Sequence, residues 1–581
     1  MAITCGLENQ AYKYVYGVYN RWIPPFDPDK EMHITCGKND WSAVQLLLYS
    51  EKDMMVCVNE DSCFYERGPI DIVRVMVDVP GIDRNDIDVK LIGLIKDDDR
   101  QEKSDVLLDT PFIYVQSRKV QPVWIEIKIS KEMKPGVYKP QIKVFSRQMF
   151  EDEKLIRTLN YTINVVDVTI NDEKSFYLDL WQHNSNIARK YDLSLWSGKH
   201  FEIMENYIKT MADLGQKSIS VVVSDIPWSG QNSAYIATSP SNMFEYSIVR
   251  IVLNKNGEWQ YDFSSLNRYI KLCMKYGIDQ EIEVFGLINI WVNEDAGYSK
   301  VIEDYDDGIR IRYFDEASGT YRYMKRKSQL ADYIKKLEQN FIENGWIEKV
   351  RILGDEPSDL EILKNRLREI KSMAPSFQFK ICINNVSVME ENLPGVVDYV
   401  PKLMCICHDY DRAMRIKEDI DGKLLFYLSC WPKTPNTFIC SPLIESRIIP
   451  WLTLYMKFDG FLRWAYTAWP DDPLEEISYR YPRWPAGDTC FVYPGKDGKP
   501  LLSLRYKNLQ RGIRDYEIFQ AYIRQNGKEA LNDRMRKVFY WETNSVFHPD
   551  SKKKAEDLYA LDYESYEQIT GNILNDLQKD R

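Results

Sequence analysis

VRILGDEP at 350–357, followed by SDLEILKNRLREIKSMA at 358–374, reads as one strand running into one helix. The helix opens on a capping-box pattern, Ser358 with Glu361 three residues on. The same rhythm extends in both directions. Upstream, SFYLDLWQHN (175–184), SISVVVSDIPW (218–228) and IEVFGLINIW (282–291) read as strands. Each leads to a helix: KHFEIMENYIKTMADLGQK (199–217), closed by Gly215; SSLNRYIKLCMKYG (264–277), stopped at Gly277; and SQLADYIKKLEQNFIENG (328–345). Downstream, FQFKICINNV (377–386), PKLMCICHD (401–409), KLLFYLSCW (423–431) and GFLRWAYTAWP (460–470) supply four more strands. SPLIESRIIPWLTLYMKFDG (441–460) contains a helix, and SLRYKNLQRGIRDYEIFQAYIRQNG (503–527) is the last one. Eight such units predict an α/β fold, a (β/α)₈ TIM barrel over 174–527. A doubly wound sheet is the rival, but no glycine-rich phosphate turn follows the first strand.

Ahead of the barrel the period changes to two. HITCGKNDWSAVQLLLYS (33–50), DIVRVMVDVP (71–80), FIYVQSR (112–118), PVWIEIKIS (122–130) and LNYTINVVDVTI (159–170) read as strands, which predicts an N-terminal β-sandwich domain over 1–173. Two insertions interrupt the barrel, a hairpin within 235–263 turning near Asn256-Gly257 and a second to about 327. Residues 528–581 read as a charged C-terminal helical extension packed on the barrel, with Lys552-Lys553-Lys554 as solvated surface.

Composition narrows the function. The 581 residues carry 76 Lys+Arg and 87 Asp+Glu, a net charge of -11, with no basic block, so no nucleic-acid partner is expected. Eleven scattered cysteines make no disulfide framework, and a reducing compartment fits better. Cys405-Ile406-Cys407-His408 could ligate a metal, but no second pair lies at finger spacing, and alternation within a strand explains it. No metal and no cofactor is expected. No basic start with an apolar stretch opens the chain, so a cytoplasmic location is expected, and no run of 18 apolar residues exists to span a membrane. Aromatic residues reach 13%, which suits either packed cores or flat sugar faces.

In such a barrel the site lies at the C-terminal strand ends. Those ends offer His183, Asp225, Trp228, Asn289, Asp355, Glu356, Asn384, Asn385, Trp431, Trp464, Tyr466 and Trp469. This is a rim of carboxylates, amides and indoles, with no GxSxG serine and no Cys/His set, and it suits a glycan substrate. Asp355-Glu356 is the sharpest feature. Neighbours in a regular strand point to opposite faces, so both can serve one site only if the chain leaves strand geometry there. Gly354 permits an unusual backbone, and Pro357 cannot continue a ladder. Two close carboxylates cannot both ionise cheaply, so one pKa is expected to rise, and a raised Glu356 would be a general acid. Neighbours on one strand end approach from the same side, which fits substrate assistance better than a flanking pair. There the sugar's 2-acetamido oxygen attacks its own anomeric carbon. Asp355 supports the resulting oxazolinium ion, and Glu356 protonates the leaving oxygen and then activates water. The other reading of the pair is a cap on the helix that follows.

At these residues the chain resembles glycoside hydrolase family 123. The likeness rests on Leu353-Gly354-Asp355-Glu356-Pro357, on Gly460-Phe461-Leu462-Arg463-Trp464-Ala465-Tyr466, on Gly487-Asp488 and Tyr493-Pro494-Gly495, and on Arg505 with Arg511-Gly512-Ile513-Arg514-Asp515-Tyr516-Glu517. The resemblance implies a retaining exo-β-N-acetylgalactosaminidase with an N-terminal sandwich, Asp355 on the acetamido group and Glu356 as acid/base. The alternatives are a related barrel glycosidase of different sugar specificity and a non-catalytic carbohydrate-binding protein.

Overall fold

The computed structural model describes residues 3–17, 26–58, 70–148, 151–227, 244–288, 300–357, 359–391, 393–478, 484–548 and 550–579. The alternating N-terminal segments pair into two sheets. One is ordered Thr4–Asn9, Asp40–Tyr49, Val120–Ile129, Ile87–Lys96, Glu102–Leu107, Val15–Tyr16; the other Lys154–Asn160, Gln141–Arg147, Asp71–Asp78, Met54–Cys57, Phe112–Val115. Alternate residues such as Val44, Leu46, Val123 and Ile125 from the first meet Val73, Val75, Ile142 and Val144 from the second, and these side chains form the sandwich core. The stretch 33–50 is two strands, not one. Asn39 adopts φ 61°, which turns the chain, so His33–Lys38 joins Thr162–Thr169 and Gly136–Tyr138 in a third, small sheet.

Eight parallel strands follow: β1 Tyr177–Leu180, β2 Ser218–Val222, β3 Glu281–Phe285, β4 Val350–Asp355, β5 Gln378–Ile383, β6 Val396–Pro401, β7 Leu425–Leu428 and β8 Gly460–Arg463. Ladders join β2 through β6 in sequence order and β7–β8–β1. Isolated parallel bridges close the ring at its two remaining joints, Leu178 to Gln216 at one, and Tyr399 to Leu424 with Lys402 to Tyr427 at the other. The barrel is therefore shut. Helix signals act as read at Gly215, which ends Gly198–Leu214 with φ 87°. Three expectations fail locally. The sixth strand is Val396–Pro401, and Cys405-Ile406-Cys407-His408 lies on the short helix Leu403–His408. Among the described residues β5 is followed by a 3₁₀ turn, Val386–Glu390, and no α-helix. The helix after β4 is capped by Asp359, whose side chain accepts from the Ile362 amide 2.9 Å away, and Ser358 lies outside the described residues.

Inside the barrel, alternation stacks side chains in layers. At the bottom Lys380 is fully buried, its Nζ 2.6 Å from Asp179, 2.9 Å from Glu281 and 2.6 Å from Glu283. Tyr177 donates to Glu281 (2.7 Å) and Ser218 to Asp179 (2.5 Å). The ammonium thus occupies the position between three carboxylates. Burial and the Asp179 charge hold Glu283 well above the usual carboxylate range, so it keeps its proton. Above this floor come Val222, Leu353, Val400 and Leu462 from the even strands, then Trp181, Phe285, Cys382 and Tyr427 from the odd ones.

The sandwich is bolted to the barrel by buried charge. Asp105 grips Arg505 of the helix Leu504–Asn526, 2.9 Å from Nη2 and 3.0 Å from Nε, and both side chains are buried. Tyr493 donates to the same carboxylate at 2.6 Å. Arg505 in turn donates to the carbonyls of Thr437, Gly487 and Cys490, and so fixes the loops that follow β7 and β8. Asp98 accepts from the Ala486 amide, and Lys13 donates to the Ile439 carbonyl. The last helix, Tyr563–Lys579, packs on both Leu504–Asn526 and the small sandwich sheet, and buries Tyr566, Ile569, Ile573 and Leu574. Lys552–Lys554 is solvated surface, exposed at all three positions. Asp105→Ala leaves Arg505 buried without its counter-charge. It is expected to cost ~3–5 kcal/mol, read as a lowered thermal midpoint, and to lower turnover with it, because the β8 loop loses its support.

Candidate active site

β4 ends at Asp355, whose side chain continues the inward series of Leu353. By alternation Glu356 would face outward. Instead its φ is 39°, in the left-handed region that a side chain rarely adopts, at a cost of about 1–3 kcal/mol. The Glu356 amide still donates to the Cys382 carbonyl at 2.9 Å, so the turn begins while the chain is held to β5. The unusual backbone lies at Glu356 itself and not at Gly354, whose φ is ordinary; a Cβ there would stand 2.8 Å from Ile381 Cδ1, the movable end of that side chain. The turn carries the Glu356 carboxyl back over the barrel axis. Its Oε1 is 2.9 Å from Lys402 Nζ at the end of β6 and accepts a short hydrogen bond from the Tyr427 hydroxyl on β7. The two neighbouring acids therefore share one mouth.

Their electrostatics reverse one expectation. The raised carboxyl is that of Asp355, pushed up to about 8 by burial and by the Glu356 charge, with Lys402 opposing. The cause is geometric. Lys402 and Tyr427 both attach to Glu356, while no hydrogen bond reaches the Asp355 carboxyl among the described residues. Burial pulls the Lys402 ammonium down, but its contact with Glu356 outweighs that and keeps it protonated. The pair thus retains one proton through neutral pH.

Trp464 lies in the same inward cluster as Trp181 and Tyr427, the residue that bonds Glu356. Its ring lies 5.8 Å from that of Trp484, and its indole N–H donates to Asp488 at 3.1 Å. Trp431 follows β7 and is 42% exposed, an open aromatic face at the rim. Asn384 is exposed just past β5. The other rim candidates have different surroundings. His183 is fully buried, held neutral down to about pH 3 by burial, and its ring lies 6.4 Å from Trp464. Asp225 is buried among Arg312 (3.1 Å), Tyr323 (3.2 Å) and the Ser247 amide (3.1 Å), tying both insertions to β2. Asn385 caps the turn Val386–Glu390. Tyr466 bonds Thr210 on the outer helix Gly198–Leu214, and Trp469 donates to the Val492 carbonyl, both outside the barrel wall. Trp228 and Asn289 lie outside the described residues.

Lys402, Tyr427, Trp484 and Asp488 were not among the sequence candidates. Lys402 continues the inward alternation of Asp398 and Val400, a signal hidden when the sixth strand is started at Pro401. Asp488 stood in the quoted Gly487-Asp488 motif without a role.

The profile of the glycoside hydrolase 123 catalytic domain matches residues 181–522, and that of the glycoside hydrolase 123 N-terminal domain matches residues 95–146. A solved family 123 glycoside hydrolase from Clostridium perfringens, described in terms of glycolipid glycan hydrolysis, is 19% identical, with 100% of this chain and 98% of that one covered at a TM-score of 0.71. A β-D-glucuronidase from Dictyoglomus thermophilum (10% identical, 86% and 76% covered, TM-score 0.29) and xylanase 10C from Cellvibrio japonicus (9%, 84% and 94%, TM-score 0.32) are remoter neighbours. No curated protein sequence matches the chain. With a profile match across more than half its length, and an N-terminal domain matched in the same family, the chain belongs to glycoside hydrolase family 123 and is a glycoside hydrolase.

Proposed function

We propose that the enzyme is a retaining exo-β-N-acetylgalactosaminidase that removes terminal β-linked N-acetylgalactosamine from glycans or glycolipids by substrate-assisted catalysis. The observation that carries this is the left-handed turn at Glu356, which sets two sequence neighbours on one side of one mouth. A flanking pair, one acid on each side of the scissile bond, would need carboxyls on different strands. In the bound complex the acetamido N–H donates to Asp355 and favours its carboxylate. The proton of the pair then resides on Glu356, which gives it to the leaving oxygen as the acetamido oxygen closes on the anomeric carbon. Asp355 stabilises the positive oxazolinium ring. Glu356, now a carboxylate beside Lys402 and Tyr427, takes a proton from water as that water opens the ring. The exo mode and the galacto configuration follow the family 123 resemblance, and the glycolipid substrate follows what the Clostridium perfringens structure is described as hydrolysing.

The test is a panel of aryl glycosides. An aryl β-N-acetylgalactosaminide should be cleaved at least ~10²-fold faster than the galactoside lacking the acetamido group. Equal rates would end the substrate-assisted reading. The pH profile carries a sign. The pair holds its proton up to about pH 8, so kcat/KM is expected to fall above that value, where no acid remains to protonate the leaving group. A profile flat to pH 10 with a poor leaving group would contradict it.

A further inference from the structure

The chain beyond the last barrel helix reaches back to the groups that hold Glu356. Phe539 and Tyr559 form an antiparallel bridge, with the Tyr540 amide donating to the Leu558 carbonyl at 2.8 Å and the Ala560 amide to the Val538 carbonyl at 2.9 Å. The Tyr559 side chain is fully buried. Its hydroxyl donates to Glu445 Oε1 at 2.7 Å, and the Thr434 hydroxyl makes short hydrogen bonds with both. Glu445, in the first turn of the helix Leu443–Tyr455, is buried too, and its Oε2 accepts from the Asn436 amide at 2.8 Å. The buried Asn436 side chain donates to the carbonyls of Ser429 at 2.9 Å and Pro432 at 2.7 Å. Ser429 directly follows β7, two residues beyond Tyr427, whose hydroxyl donates to Glu356.

The same segment meets the other partner of Glu356. The turn Asn544–Phe547 packs on the short helix Leu403–His408, and the His548 and His408 rings lie 4.8 Å apart. That helix begins at the residue after Lys402, and the Lys402 backbone bridges that of Tyr427. The tail therefore braces both side chains that fix the Glu356 carboxyl. The Tyr559 hydroxyl has a chemical reason to be there. A buried carboxylate is costly without donors, and Tyr559, Thr434 and the Asn436 amide supply them to both Glu445 oxygens. Burial pushes the Glu445 carboxyl up, and those three donors oppose it. Phenylalanine at 559 keeps the packing and withdraws one donor, which loosens Glu445 and, through Asn436, the end of β7.

We propose that Tyr559 is a positioning residue for the acid/base group: through Glu445 and Asn436 it sets the end of β7, and with it the Tyr427 hydroxyl on Glu356. This rests on the reading of Glu356 as the acid/base. A donor on the Glu356 carboxylate favours its ionised form. When that donor is displaced, the pair of acids keeps its proton to higher pH. A side chain on the tail thus tunes the pH at which the enzyme loses its acid.

The test is the pH profile of kcat/KM for the full-length wild type, Tyr559→Phe, Tyr427→Phe and the double variant. The substrate is an aryl glycoside with a poor leaving group, of the sugar that the wild type cleaves fastest. Tyr559→Phe is expected to lower kcat/KM ~10-fold at neutral pH. It should also move the alkaline fall upward by ~0.5–1 pH unit, and Tyr427→Phe should move it in the same direction. The double variant should lose no more than Tyr427→Phe alone, because both changes act on one bond. An alkaline fall left in place by Tyr559→Phe, with or without a lowered thermal midpoint, makes Tyr559 a structural support and overturns the proposal. Losses that multiply in the double variant, or a Tyr427→Phe profile like that of the wild type, overturn it as well. Should Tyr559→Phe fail to fold, Asn436→Ser carries the same comparison, since it cuts the link to Ser429 and leaves the tail intact; an unmoved fall there overturns the proposal. Failure of the acid/base reading is distinct, since it shows in Glu356→Gln as equal losses on good and poor leaving groups.

Discussion

Glu356→Gln is expected to lower kcat/KM by ~10²–10⁴-fold on substrates with poor leaving groups, and far less on activated aryl substrates whose oxygen needs no proton. The amide keeps an oxygen for Tyr427 and Lys402 to reach, so the folded chain should remain within about 1 kcal/mol of the wild type. The measurement is a plot of log rate against leaving-group pKa, which should steepen in the variant. Equal losses across the series would mean that Glu356 does not protonate the leaving oxygen. The amide also fixes the pH dependence: the fall above about pH 8 should vanish for Glu356→Gln, because position 356 then has no acid proton to lose.

Asp355→Asn separates rate from stability. On the proposed substrate-assisted reading, turnover should drop by ~10²–10³-fold with every leaving group, activated ones included, since the charge assigned to support the ring-closed cation is gone. Stability should move the other way. The folded-state value of Asp355, about 8, lies above its unfolded value, so the native chain binds this proton more tightly. The native state is therefore favoured at low pH and loses that advantage as pH rises from about 4 to about 8. Asparagine does not titrate. The variant should match the wild type near pH 4 and exceed it by on the order of 5 kcal/mol at pH 8. Thermal midpoints across that range decide it. A variant less stable than the wild type at pH 8 would show that Asp355 carries a structural load instead.

The barrel was legible because strand and helix periods alternate so regularly; each error has a local cause. PKLMCICHD alternates polar and apolar residues well enough to pass for a strand, yet it is β6's last residue and a helical turn. The true β6, VVDYVP, carries an aspartate in its middle, which reads as a loop. Asp398 is tolerated because Arg351 on β4 meets it at 2.8 Å, and only the closed ring brings the two together. The site divides in the same way. Asp355 and Glu356 are visible because two acids stand between Gly354 and Pro357. Lys402 and Tyr427 come from strands β6 and β7, far along the chain, and nothing near them in sequence says that they meet Glu356. Tyr466 and Trp469 were placed on the rim by extending β8 to Pro470. The strand ends at Arg463, alternation stops applying, and both rings turn outward into the helices.

The Lys380 floor has a consequence for traffic. Three acids clamp an ammonium at the base, and two tiers of tightly fitted side chains lie over it, so the tube has a single port. A sugar seated there acts as a stopper. Bulk solvent regains access only when the departing half leaves, and it enters along the path just vacated. On the proposed substrate-assisted reading, replacement from that face would return the anomeric centre to the hand it started with.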